Sequence, residues 1–210
     1  LGLSLKVAVL ASVGVMPLAG AAALALRSPR LPLRGLWEAA LQLPLVLPPV
    51  VVGYVLLVLL APKGPLGRLG LELALTWQAA ALASAVVALP LAVQALRVAF
   101  DEVDPRLVQA ARTLGARPRG TFLTVLLPLS GRGVVAAWTL AFARSLGEFG
   151  ATILVAGNIP GRSQTLPLAL FSATEAGHDG QALRLVAIST GLAFLCLLVL
   201  QRVYRSAGRR

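Results

Sequence analysis

The sequence predicts an all-α, polytopic transmembrane helical bundle. Three observations carry that prediction: 58% of the 210 residues are hydrophobic and 13% charged, mean hydropathy is +0.84, and the charges fall between long apolar runs. A soluble domain carries roughly a quarter charged residues. Charge-free runs cover 7–26, 39–61, 73–96 and 185–201, and a nearly charge-free stretch covers 120–161. Each is long enough, or close to it, to cross a hydrocarbon layer of roughly 30 Å at about 1.5 Å per residue. A soluble two-domain enzyme is excluded on this ground.

Five spans fit in order. The first, 4–26, is longer than the apolar core of a cleaved leader and is followed by Arg27-Ser28-Pro29-Arg30, so it reads as a retained membrane helix. The second, 38–60, contains Pro44, Pro48 and Pro49, each of which removes a helical donor. Residues 43–53 therefore form a broken or kinked element, and two readings stay open: a packing distortion, or a flexible segment lining a cavity with Gly53. Tyr54, just beyond it, lines a gate or fills a dimer core. Lys63-Gly64-Pro65-Leu66-Gly67 reads as a turn. The third span, 74–97, has a kink expected at Pro90. The fourth, 122–145 with a continuation to 155 left open, is interrupted by Arg132 and holds Arg144, Ser145 and Glu148 at depth. Arg144 and Glu148, four residues apart, share a helix face and can pair. Such a pair either satisfies only itself, lies on an anion path, or makes a gating contact across a dimer. The fifth span is 182–203.

The net charge, 19 basic against 8 acidic residues, is +11. Between apolar spans this excess points to lipid headgroups and to the positive-inside rule, not to nucleic acid. With the carboxyl terminus cytoplasmic, Arg27, Arg30, Arg34, Arg97, Arg106, Arg112, Arg117, Arg119, Arg132, Arg202, Arg205, Arg209 and Arg210 lie inside. Lys6, Lys63, Arg68, Arg162 and Arg184 lie outside, 13 against 5, which places the amino terminus outside. The single cysteine, Cys196, leaves no intrachain disulfide and no cysteine metal site. His178 with Glu175 and Asp179 is read as a solvated outer face, and no metal is expected. Asn158-Ile159-Pro160-Gly161 fits a tight turn.

The long polar stretch, 101–120, looks like a small platform. Asp104-Pro105 makes a helix start, with Asp as cap and Pro in the first turn. Leu107, Val108, Ala110, Ala111 and Leu114 follow at helical spacing, Gly115 serves as C-cap or close-contact point, and Pro118 restarts a short helix or leads into Phe122. The stretch is too small for a catalytic domain. It suits docking of another protein, or else a basic loop held by headgroups.

Gln109-Ala110-Ala111, Gly115, Val125, Leu127 and Pro128 match the spacing of the coupling-loop signature of bacterial ABC importer permeases: Glu-Ala-Ala, three residues, Gly, nine residues, Ile, one residue, Leu-Pro. Gln109 stands where that pattern has Glu, and Val125 where it has Ile. Together with LPLVLPPVVVG at 43–53, QAARTLG at 109–115, LAFARSLGEFGAT at 140–152, Asn158-Ile159-Pro160-Gly161 and Thr165-Leu166-Pro167, the chain resembles the permease subunit of the molybdate/tungstate ABC importer family. Sulfate permeases share much of the pattern. The resemblance runs from the first span to Val203.

That resemblance implies a type I importer fold, a single permease domain over 1–210 with its coupling loop at about 101–121. It implies a pathway built by two copies, a cytosolic ABC ATPase dimer, an external solute-binding protein and a tetrahedral oxyanion as substrate. Gln109, Ala110, Ala111, Arg112, Gly115, Arg117 and Pro128 then belong to coupling. Pro48, Pro49, Gly53, Tyr54, Arg144, Ser145 and Glu148 are candidates for gate or pathway, and Arg162, Glu175 and Asp179 for docking the binding protein. No cofactor is expected in this chain, because it lacks a Gly-rich loop ending in Lys-Ser/Thr; ATP and Mg would be bound by the partner ATPase. The expected location is a bacterial or archaeal cytoplasmic membrane. Two other classes fit less well. A membrane enzyme needs a second carboxylate, a Ser with a base, or a His cluster at depth. A stand-alone secondary transporter favours a longer chain with inverted repeats.

Overall fold

The computed structural model describes residues 1–28, 31–71 and 73–205, and all regular structure among them is helical. Helix α1 spans Gly2–Arg27, α2 Arg34–Val46, α3 Pro49–Leu60 and α4 Trp77–Asp101. Then come α5 (Pro105–Thr113), α6 (Pro118–Thr121), a π turn at Phe122–Leu126, α7 (Leu127–Leu129), α8 (Gly131–Leu146), α9 (Gly150–Val155), α10 (Leu166–Glu175) and α11 (Asp179–Arg205). Arg30, Arg209 and Arg210, placed on the inner side above, lie outside the described residues.

Helix α4 is the centre, packed by α1, α8 and α9. The contact faces are built from small side chains: Ala8, Ala11, Ala19 and Ala23 of α1, Ala79, Ala80, Ala83, Ala88 and Ala92 of α4, Ala137 and Ala141 of α8. Lipid tails are as apolar as leucine, so helices in a bilayer gain by close approach, which small residues permit. Other, larger apolar residues point outward, Val9, Val13 and Leu18 on α1 among them, while Val7, Val15 and Leu26 of the same helix are buried. In its apolar window α4 has 56% of residues buried against 11% for α11, which makes α11 peripheral.

Contacts at the helix ends set the direction of each crossing. The Lys6 ammonium lies 3.6 Å from the centroid of the Trp77 ring, and Arg27 Nε lies 2.9 Å from Asp101 Oδ1. So α1 and α4 run parallel, both starting at a Trp77 end and finishing at an Asp101 end. The chain between them must return, which makes α2 and α3 one crossing although they meet at 105°. Gly133 of α8 packs on Ala99 near the Asp101 end, and the Leu75 N–H donates to the Val155 carbonyl at 2.8 Å near the Trp77 end. Thus α8 and α9 return as well. Helix α11 is long and apolar enough for the fifth crossing.

Two expected spans change shape. The 38–60 span is two helices, because Pro48 and Pro49 lack N–H donors and force the residues before them out of the helical region: Leu47 has ψ 142° and Pro48 ψ 131°. The 122–145 span also breaks, by 77°, at Ser130. There Pro128 supplies no N–H to the Thr124 carbonyl, and the Ser130 hydroxyl donates to the Leu126 carbonyl at 2.7 Å. The fourth crossing is therefore 131–155, and 118–129 is a separate arm at the Asp101 end. Pro90 does not interrupt α4, nor Pro17 α1.

Candidate functional site

At the Asp101 end, α5 forms as its capping residues dictate. The Asp104 carboxylate accepts from the Arg106 N–H at 2.8 Å, and Pro105 occupies the first helical position. At the other terminus the Gly115 N–H donates to the Arg112 carbonyl and the Ala116 N–H to the Ala111 carbonyl, both at 3.0 Å. That is the paired closure of a Schellman motif, and it requires Gly115 at φ +87°. No residue of α5 is buried. Val108 alone of α5 packs against the core, on the cluster of Leu26, Leu96 and Phe100. Gln109, Ala110, Arg112, Gly115 and Arg117 are exposed, and Ala111 is half-buried. Leu114, at 88% exposure, is the most open large apolar side chain among those described. Pro128 is exposed on α7, in the arm beside this platform.

A second constellation sits where α8 breaks. Arg144 ends α8, and Glu148 lies in the gap before α9, 1% exposed. The pair forms as expected, Arg144 Nη1 to Glu148 Oε2 at 2.8 Å, but not along one continuous helix. The other oxygen, Oε1, accepts from the Ala151 N–H at 2.8 Å, and so caps α9. The sequence reading missed this capping role; the Glu-x-x-Ala spacing after Gly147 carries its signal. Ser145 is buried, and its hydroxyl donates to the Ser84 carbonyl at a long 3.5 Å. The Ser84 hydroxyl is itself buried without a partner among the described residues.

The two apolar motifs meet here. A Cβ on Gly53 would lie 2.6 Å from the Ala151 carbonyl oxygen, and one on Gly150 would lie 3.0 Å from Pro49 Cβ. So α3 crosses α9 backbone to backbone, and Pro49 stands against Gly150 at the start of α9, next to the gap that holds Glu148. Tyr54 faces away and is 60% exposed. Near it Val50, Val51, Val55 and Val58 also lie open on α3.

Towards the Trp77 end, the 157–165 loop is stitched to α10. The Asn158 amide donates to Ser172 Oγ at 2.7 Å and its oxygen accepts from Gln164 Nε2 at 2.9 Å. The turn's positive φ angles belong to Gly157 and Gly161, so Asn158 acts through its side chain. Ser4 Oγ accepts from the Leu166 N–H at 2.7 Å, a tie between α1 and α10 that spacing did not reveal. Arg162 is exposed on this loop; Glu175 and Asp179 are exposed at the α10–α11 turn. Among the described residues no three His, Cys, Asp or Glu side chains gather closely enough to hold a metal ion.

Comparison with known proteins gives a consistent answer. The model of the family described as "Binding-protein-dependent transport system inner membrane component" matches residues 16–210. The Molybdenum transport system permease protein ModB of Escherichia coli K12 is 44% identical over 99% of this chain and 93% of its own length. Its Haemophilus influenzae counterpart is 44% identical over 95% and 90%. The Sulfate transport system permease protein CysT of Escherichia coli K12 is 32% identical over 86% and 67%. In fold the chain is similar to a chain of the inward-facing MetNI methionine ABC transporter, with TM-score 0.74 at 18% identity, covering 97% of this chain and 92% of that one.

Proposed function

The chain belongs to the family of binding-protein-dependent transport system inner membrane components, and from that premise we propose that it is the permease subunit of an ATP-driven importer for molybdate or tungstate. Two copies would form the pathway, each resting on one subunit of a cytosolic ATPase dimer that binds ATP and Mg, with an external binding protein delivering the oxyanion. The exposed, doubly capped α5 platform supports this reading most directly. It is an exposed helix with basic side chains and an uncovered Leu114, which is the form a docking element needs. In this arrangement Gln109, Ala110, Ala111, Arg112, Gly115, Arg117 and Pro128 belong to the region that couples to the ATPase. The Asp101 end is then cytoplasmic, the amino terminus is outside, and Arg162, Glu175 and Asp179 are available to the binding protein.

The open faces of α3 and α11 suit contact with a second copy. At their edge, Pro48, Pro49, Gly53, Tyr54, Arg144, Ser145 and Glu148 form the proposed gate. The backbone-to-backbone crossing of α3 on α9 makes these two elements move together. The anion meets at most one guanidinium there, Arg144, already neutralised by Glu148, so a dianion would pass without being trapped.

The test is ATPase activity of the complete complex in liposomes with binding protein supplied outside. Stimulation by molybdate and tungstate but not sulfate is expected, and Leu114→Glu should abolish it. Stimulation by sulfate would reassign the substrate, and a fully active Leu114→Glu complex would refute docking through α5.

A further inference from the structure

Beside the root of the α5 platform lies a cleft of about 560 Å³, lined by Leu24, Arg27, Ser28, Gln109, Arg112 and Leu126 among others. The Arg112 guanidinium has no acceptor among the described residues. Arg27 is shared with Asp101 at 2.9 Å. The carbonyl end of α1 adds a partial negative charge, which Arg27 offsets, so Arg112 is left as an uncompensated cation. Gln109 is neutral, and a carboxylate at this position would cancel that charge.

Leu24 lines both this cleft and a second cavity, a groove of about 490 Å³ lined by apolar residues, among them Val13, Pro17, Gly20, Leu96 and Phe122. Both volumes fall in the range of roughly 300–1,000 Å³ usual for ligand sites. The groove follows α1 from Val13 to Leu24, which at about 1.5 Å per residue is about 16 Å, close to half of a ~30 Å hydrocarbon core. Its depth is that of one leaflet, and its mouth holds the charge. Gly20 lines the groove, and a Cβ there would meet nothing within 4 Å, so a larger side chain has room to fill it.

We propose that cleft and groove together form a site for one anionic phospholipid, with its phosphate on Arg112 and Arg27 and one acyl chain laid along α1 from Leu24 to Val13. The apolar groove selects a lipid over a free anion, and the cation at its mouth selects an anionic headgroup over a zwitterionic one. The lipid would brace α1 against the platform and the 118–129 arm, since Leu126 lines the cleft and Phe122 the groove.

The test is native mass spectrometry of the full chain in detergent, titrated with phosphatidylglycerol, with phosphatidylethanolamine of the same chains, and with inorganic phosphate. One phosphatidylglycerol per chain should be retained in preference to phosphatidylethanolamine. Arg112→Gln should weaken retention of the anionic lipid roughly fivefold, the worth of one basic side chain near a charged lipid surface, and leave the zwitterionic lipid unchanged. Gln109→Glu should act in the same direction. Gly20→Leu, which fills open space and keeps the helix, should weaken both lipids, with circular dichroism checking the fold; if it does not fold, the Arg112→Gln arm decides. Equal retention of the two lipids by the unaltered chain would overturn the proposal. So would displacement of lipid by phosphate alone, an unaffected Gly20→Leu chain, or loss of a dimer in that variant, which would make a second copy the occupant.

Discussion

At Glu148 one carboxylate serves two partners, Arg144 through Oε2 and the Ala151 N–H through Oε1, while it is almost fully buried. Removing one member of a buried ion pair costs about 3–5 kcal/mol, but Arg144 is 28% exposed and water recovers part of that. We expect Glu148→Ala to destabilise the chain by about 2–4 kcal/mol, pair and cap together. Glu148→Gln, which retains an acceptor for Ala151, should lose less. Thermal unfolding of the detergent-solubilised chain checks both, and equal losses would show that the cap contributes nothing. Gly53 offers a second case, since its missing side chain is what lets α3 rest on Ala151. Gly53→Ala should cost about 1–3 kcal/mol as an overpacked contact. Gly20→Ala, in open space, should gain about 0.5–1 kcal/mol from helix propensity.

Among the elements, α5 is held by its ends and not by its faces. Its caps close both termini, while no residue within it is buried. Asp104→Ala should therefore cost about 1 kcal/mol locally, and Gly115→Ala a similar amount for the left-handed backbone at φ +87°. Hydrogen exchange is the measurement. The amides of Arg106 in the first variant and of Gly115 and Ala116 in the second should lose protection, with the global unfolding temperature unchanged. A fall in that temperature would mean that the platform contributes to the bundle's stability. The α2–α3 break is a contrasting element, fixed by covalent chemistry at Pro48 and Pro49 and then by contact with α9. Its angle is set by packing; its position follows from where the donors are missing.

For the molecule as a whole, the alternation of crossings follows from a few end contacts, with Lys6 at Trp77 and Arg27 at Asp101 giving the parity. If the Asp101 end is cytoplasmic, then with Cys196 replaced by Ser, Lys63→Cys and Arg162→Cys should react with an impermeant maleimide added to intact cells. Leu114→Cys should react only after permeabilisation. The reverse pattern would invert the topology and with it the docking assignments. The peripheral position of α11 and the open face of α3 also predict that the chain is a dimer in detergent. Tyr54→Asp should weaken that dimer while leaving the helix content intact, and light scattering reports the mass.

The membrane class, the platform at 101–120 and the family resemblance were legible in the residues, because each rests on local chemistry: charge is costly in hydrocarbon, Asp-Pro opens a helix, and Gly115 closes one. The proline break after Val46 was legible for the same reason. The turn of the fourth span at Ser130, the second role of Glu148, the outward face of Leu114 and the meeting of Gly53 with Ala151 were decided only in the tertiary structure. Apolar surroundings explain this difference. A helix in lipid need not segregate apolar from polar residues, so periodicity does not mark its packed face. Small residues show where helices can approach, but only the assembled bundle determines which of them do.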